Sequence, residues 1–135
     1  MDASADTRGR PAIEMTVPAD SAYLSVLRTA AAGLAARLNF TLDDIEDLRI
    51  AVDEACSMLL AQAAGDSRMH CSFVLTDDSV TVSVSAHAPN PKVPSRNGFA
   101  WTVLTALATK VDFEVRGAHE LAIILTHRRP TYGRE

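Results

Sequence analysis

The sequence predicts an α+β fold: a two-layer sandwich with helices on one face of a mixed, mostly antiparallel sheet. Three observations predict it. Residues 24–38 and 45–59 repeat apolar side chains at helical spacing. Residues 69–75 and 80–86 alternate apolar with polar side chains and are joined by Thr76-Asp77-Asp78-Ser79, which makes a hairpin and hence antiparallel pairing. A near-continuous apolar run occurs only at 121–125, whereas a parallel sheet buried on both faces would need one in most strands. Elements with one apolar face close by stacking in layers.

Taken in order, Ile13, Met15 and Val17 alternate with polar residues as a short strand stopped by Pro18. Asp20 or Ser21 supplies the cap of a helix whose apolar face is Leu24, Leu27, Ala31, Leu34 and Leu38. Asn39-Phe40 breaks it. Thr41-Leu42-Asp43-Asp44 resembles a capping box with Asp in place of Glu. It opens a second helix with the stripe Ile45, Leu48, Val52, Ala55 and Leu59, running to about Ala64 and closed by Gly65-Asp66. The hairpin follows. His87 to Asn97 contains Pro89, Pro91 and Pro94 and reads as an irregular connection. Gly98 opens a third helix with Trp101, Leu104, Leu107 and Ala108 as its core face. Val111, Phe113 and Val115 form a strand, Gly117 turns the chain, and 121–125 is the last strand. Residues 1–10 read as a disordered lead-in, 11–128 as one domain and 129–135 as a polar tail.

A chain of 135 residues suits one compact domain with its own core. With 47% hydrophobic and 22% charged residues it has ordinary globular composition. Its net charge of −4 gives no basic stripe for nucleic acid. No apolar run approaches the ~18 residues of a membrane span, and the polar start has no secretory core segment. Cys56 and Cys71 make neither a disulfide framework nor a metal spacing, which fits a reduced, cytoplasmic protein. His70, His87, His119 and His127 show no metal pairing in the sequence.

The chemistry-bearing candidates sit on the helices. Residues 47, 50, 54 and 58 fall one turn apart on a face flanking the second helix's core stripe. Glu54 there can serve as a general base, or simply join Glu46, Asp47 and Asp53 in a solvated acidic patch. Arg28, beside the apolar stripe of the first helix, reads either as an exposed partner contact or as a surface arginine lying along the helix. Gly98, the only glycine between His87 and Trp101, begins a helix and could keep one weak anion-binding point.

Ser25-Val26-Leu27-Arg28 and Leu48-Arg49-Ile50-Ala51-Val52-Asp53-Glu54-Ala55-Cys56 resemble the anti-sigma-factor serine kinases of the stress and sporulation type. These belong to the histidine-kinase-like ATPase (Bergerat, or GHKL) superfamily. The order of elements agrees from Ile13 to His127, and residues 98–104 are similar to the family's helix after the nucleotide lid. Mycobacterial-type regulators of a stress sigma factor are the subgroup it resembles most. The resemblance implies a protein that binds a sigma factor and is released by an antagonist of the STAS (sulphate-transporter/anti-sigma-antagonist) fold. In kinase members ATP phosphorylates that antagonist. It implies a homodimer, with Arg28 at the partner contact and Glu54 at the catalytic carboxylate.

At the nucleotide the chain departs from the family pattern. Met58 stands where the family has the asparagine that binds magnesium, and a thioether does not serve a hard cation. Ala86 and Ala88 stand at the adenine-binding Asp and the glycine after it. Each lost buried hydrogen bond costs ~1–3 kcal/mol. Together with the lost metal this weakens ATP binding by several powers of ten, at ~1.4 kcal/mol per tenfold. Three readings follow in order: an anti-sigma factor that acts by binding, with no metal and no cofactor; an active serine/threonine kinase using ATP and magnesium; and an unrelated α/β interaction domain.

Overall fold

The computed structural model describes residues 11–130. The lead-in expected over residues 1–10 and the tail residues 131–135 lie outside the described residues. In chain order the elements are β1 (Pro11–Pro18), a 3-10 turn (Ser21–Tyr23), α1 (Leu24–Arg37), α2 (Leu42–Gln62), β2 (Arg68–Leu75), β3 (Ser79–His87), α3 (Phe99–Leu107), β4 (Lys110–Arg116) and β5 (Glu120–Arg128). The strands form one sheet in the order β1-β2-β3-β5-β4. Expected to be mixed and mostly antiparallel, it is antiparallel at all four pairings, because every strand returns beside a neighbour through a reversal.

The register explains which side chains are buried. Cys71 lies opposite Met15 and Val84, and Val82 lies opposite Leu125. Since side chains alternate faces, Met69, Cys71 and Phe73 join Val80, Val82, Val84, Leu121, Ile123 and Leu125 on one face. There they meet Leu27, Leu48, Leu59 and Leu104 from the helices. Each fully buried Leu or Phe contributes about 1.5–3 kcal/mol. The opposite face carries Thr16, His70, Ser72, Thr81, Ser83 and Thr126, exposed or half-buried. Ala122 is an exception: it points to that outer face yet is fully buried. This is why β5 reads as a continuous apolar run.

Several local expectations change in detail. Asp20 does cap, its carboxylate accepting from Ala22 N–H at 2.9 Å, but it caps the 3-10 turn, and α1 starts only at Leu24. Asn39 takes a positive φ of 64°. The N–H groups of Asn39 and Phe40 donate to the carbonyls of Ala36 and Ala35, a Schellman closure in which Phe40 buries itself. Thr41 Oγ1 accepts from Asp44 N–H at 3.1 Å and donates to the Asp44 carboxylate at 2.8 Å. Asp is one methylene too short for the reciprocal bond of a full capping box and takes the hydroxyl instead. Helix α2 ends at Gln62 rather than at Ala64. Gly65-Asp66 does not close it: Ala63 is already extended and Ala64 N–H pairs with the His87 carbonyl, so the helix is ended by the sheet. In α3 only Leu104 is fully buried. Ala108 has left the helix, and Trp101 lies at the margin rather than in the core, its ring between Phe113 at 5.1 Å and the Arg96 guanidinium at 4.4 Å. Gly117 turns β4 into β5 with a φ of 60°. Val115, beyond the reach of the helical layer, is exposed. No helix among the described residues is long and apolar enough to cross a membrane.

Candidate functional site

Helix α2 positions the candidates. Leu48, Val52, Ala55 and Leu59 face the sheet and are buried. Glu54 and Met58, one turn apart, are therefore turned to the edge of the layer, and both are half-buried. Glu54 makes no hydrogen bond or ion pair among the described residues. Its carboxylate keeps its acceptor capacity.

Met58 lies at the margin of the core. It packs against the apolar cluster that contains Ala86 and Ala88, both essentially unexposed. Thus Met58, aligned with a magnesium ligand, Ala86, aligned with an adenine acceptor, and Ala88, aligned with the glycine after that acceptor, all lie in or against the hydrophobic core. None of them offers an oxygen or nitrogen on its side chain. Residues this apolar do not fit magnesium or the adenine amino group.

The proline loop is tied down at several points. The Gln62 amide donates to the Lys92 carbonyl at 2.9 Å and accepts from Lys92 N–H at 2.8 Å, imitating a strand pair. Ala88 N–H donates to the His119 carbonyl at 2.8 Å, and His119 Nδ1 donates to the Pro89 carbonyl at 3.1 Å. Gly98 caps α3, but its own N–H is already given to the Ser95 carbonyl at 3.0 Å. A Cβ there would come within 3.2 Å of that oxygen, so the close turn explains the glycine. Phe99, the first residue of the helix, is 81% exposed.

Arg28 is neither a free contact nor a simple surface arginine. Its Nε is 3.2 Å from Asp53 Oδ1, an ion pair joining α1 to α2. The Nε–H is nevertheless not aligned for a hydrogen bond to any group among the described residues. The pair thus holds the guanidinium electrostatically and leaves donors for another acceptor. Asp53 was legible only as one of four acidic residues. Its role follows from the antiparallel packing of α1 on α2.

Two further groupings are visible only in three dimensions. His70, His87 and His119, far apart in sequence, line one cavity of about 510 Å³ with Asp66, Arg68 and Glu120. The sheet register gathers them, since His87 is paired with Glu120 and His70 with Ser85. Among the described residues no three His, Cys, Asp or Glu side chains are grouped to hold a metal ion. Cys56 and Cys71 are free and buried. Burial pushes the Cys71 thiol up to about 12. Burial, then the nearby Cys71 and Asp53, pushes Cys56 higher still. Both remain protonated, and the thiol is a poor nucleophile.

A family pattern described as a histidine kinase-like ATPase domain matches residues 17–126. The chain is 45% identical over 74 residues to the serine-protein kinase RsbW of Halalkalibacterium halodurans, covering 54% of this chain and 46% of that one. It is 35% identical over 105 residues to the anti-sigma-F factor RsbW of Mycobacterium tuberculosis, covering 78% and 62%. It therefore spans less than two thirds of either relative. Among solved structures, the RsbU and RsbW domains of a Mycobacterium tuberculosis protein superpose with a TM-score of 0.63 at 20% identity, covering 87% of this chain and 32% of that one. At that identity the likeness speaks for the fold alone. The family match runs from the end of β1 to the end of β5, and the chain belongs to the histidine kinase-like ATPase domain family.

Proposed function

We propose that this chain is an anti-sigma factor of the partner-switching kind. It sequesters a stress-response sigma factor, is released by a STAS-fold antagonist, and acts as a homodimer in the cytoplasm without nucleotide chemistry. The observation that carries the binding-only reading is that Met58 and Ala86, aligned with the magnesium ligand and the adenine acceptor, have no oxygen or nitrogen on their side chains and lie at or in the apolar core. The similarity to the anti-sigma-F factor RsbW of Mycobacterium tuberculosis supports the sigma-factor part. The half-exposed Arg28, with donors left over beside Asp53, is the residue assigned to the partner contact.

Calorimetry with ATP and magnesium, paired with retention of purified alternative sigma factors on the immobilised protein, tests the reading. Retention of a sigma factor with no heat at millimolar ATP is expected. Micromolar ATP binding would overturn the binding-only part, and failure to retain any sigma factor would overturn the rest.

One observation favours a second reading. Glu54 keeps an unengaged carboxylate at the layer edge, where a general base for phosphoryl transfer would stand. A relative bearing the name serine-protein kinase adds to it. In that case the chain is an ATP- and magnesium-dependent serine/threonine kinase acting on the antagonist, with Gly98 at the phosphates. Transfer of label from ATP to a STAS-fold protein, abolished in Glu54→Ala, is the result that would establish it.

A further inference from the structure

The sheet brings two histidine rings together at one end of its outer face. His87 ends β3, and His119 stands in the turn just before β5. Their ring centroids are 5.8 Å apart, with the planes at 61°. Both side chains are exposed, and both line the cavity of about 510 Å³. The backbone at each is pinned. The His87 carbonyl accepts from Ala64 N–H at 3.0 Å, and the His119 carbonyl accepts from Ala88 N–H at 2.8 Å. The pair is therefore placed by the sheet and not by a free loop.

The tautomer of one ring is fixed by its neighbour. A carbonyl oxygen can only accept, so His119 Nδ1 carries the hydrogen that it donates to Pro89 at 3.1 Å. In the neutral ring Nε2 then keeps a bare lone pair. A backbone carbonyl holding the far nitrogen in this way is the common support of a metal-binding histidine. His87 has no hydrogen bond among the described residues, so its ring can turn and offer either nitrogen. The separation suits one shared ion. With a metal–nitrogen bond of ~2.0–2.1 Å each ring centre lies about 3.2 Å from the ion, and centres 5.8 Å apart subtend roughly 130° there. A tetrahedral angle of about 110° needs the centres only about 0.6 Å closer. Asp66 and Glu120 add negative charge to the same cavity, whereas Arg68 is drawn to the Thr16 carbonyl at 3.5 Å.

We propose that His87 and His119 form a binding site for a divalent transition-metal ion of the zinc type. Among the described residues no third His, Cys, Asp or Glu completes a metal-holding group, so water fills the remaining positions. Neutral imidazole suits zinc and not magnesium, which demands oxygen ligands in a near-ideal octahedron. Zinc has no geometric preference of its own from d-electrons and tolerates the wide angle. Bound there, the ion ties the exit of β3, where the proline loop begins, to the β4–β5 turn. His87 is exposed on the outer sheet face while Ala86 and Ala88 are buried. The inference therefore rests on neither the nucleotide reading nor the sigma-factor reading.

The test is a titration of the full chain, free of any affinity tag, with zinc chloride. Calorimetry reads the binding, and NMR follows the ring signals of the four histidines. The expected result is one ion per chain, with the His87 and His119 signals moving together and a melting temperature that rises with zinc. Magnesium chloride should give no such response. His87→Ala and His119→Ala should each weaken zinc binding about tenfold or more, whereas His70→Ala, in the same cavity, should change it less than about threefold. Without zinc the melting temperatures should match that of the unaltered chain, since the side chains replaced are exposed. No saturable heat up to millimolar zinc, undiminished affinity in His87→Ala or His119→Ala, an equal loss in His70→Ala, or movement of other ring signals alone would each overturn the proposal.

Discussion

Replacing Arg28 with alanine should separate binding from folding. Its Nε is 3.2 Å from Asp53, and the two side chains are 33% and 41% exposed. At that distance two unit charges attract by about 1.3 kcal/mol in water. Fixing both side chains and screening by salt reduce this, and exposed pairs measured by double-mutant cycles give roughly 0.2–1 kcal/mol. The missing hydrogen-bond alignment places this pair in the lower half of that range. Arg28→Ala should therefore lower the melting temperature by at most roughly 2–5 °C. If Arg28 is an anchor for the sigma factor, the same change should cost about 2 kcal/mol of affinity, roughly 30-fold. Thermal unfolding and calorimetry with the retained sigma factor measure the two effects. Asp53→Asn completes the cycle: it should leave stability nearly unchanged and leave affinity equal or higher, since the guanidinium loses its internal competitor. A stability loss above ~2 kcal/mol in Arg28→Ala would refute the reasoning, because the arginine would then be structural. So would unchanged affinity.

Met58→Asn places a magnesium ligand type at one position only. It should cost about 1–2 kcal/mol, from a polar group set against an apolar cluster, and yield no phosphotransfer; label transfer from ATP in this variant would contradict that. Cys71 ties stability to alkaline pH. Its thiol is raised from 9.0 to about 12, so the folded state keeps its proton while the unfolded state loses it, and stability should fall as pH rises from about 9 toward 12. Cys71→Ala should flatten that slope in chemical denaturation, and rapid labelling of the native protein by a thiol reagent at neutral pH would disprove the buried state. His127 works in the opposite sense. Its proton affinity is lowered from the ordinary value of 6.5, so its contribution is present above 6.5 and lost as pH falls through and below it. A ring titrating at or above 6.5 by NMR would contradict this. Gly117→Ala should destabilise by roughly 1–2 kcal/mol through the left-handed backbone alone, since no atom lies near the added Cβ; an unchanged melting temperature would count against the turn as described.

By itself the sequence determined whatever depends on period and nearest neighbours. The stripe of Leu48, Val52, Ala55 and Leu59, the alternation of Met69, Cys71 and Phe73, the Thr41 cap and the Gly117 turn are local choices. Each is visible in a few residues because side-chain direction follows backbone period. The family segment around Glu54 and the loss of polar side chains at Met58 and Ala86 were also legible, since they concern residue types in a fixed spacing. Only the tertiary structure decided what comes from elements packing together. Helix α2 stops at Gln62 because Ala64 is drawn into a hydrogen bond with His87, not because Gly65 ends it. Trp101 sits at the margin because α3 packs mainly through Leu104. The strand registers gathered His70, His87 and His119, and α1 crossing α2 joined Arg28 to Asp53. His127 looks like one more scattered histidine in the sequence. Its burial beside Asp47 follows from β5 lying under α2, a contact between segments some 80 residues apart that no local pattern encodes.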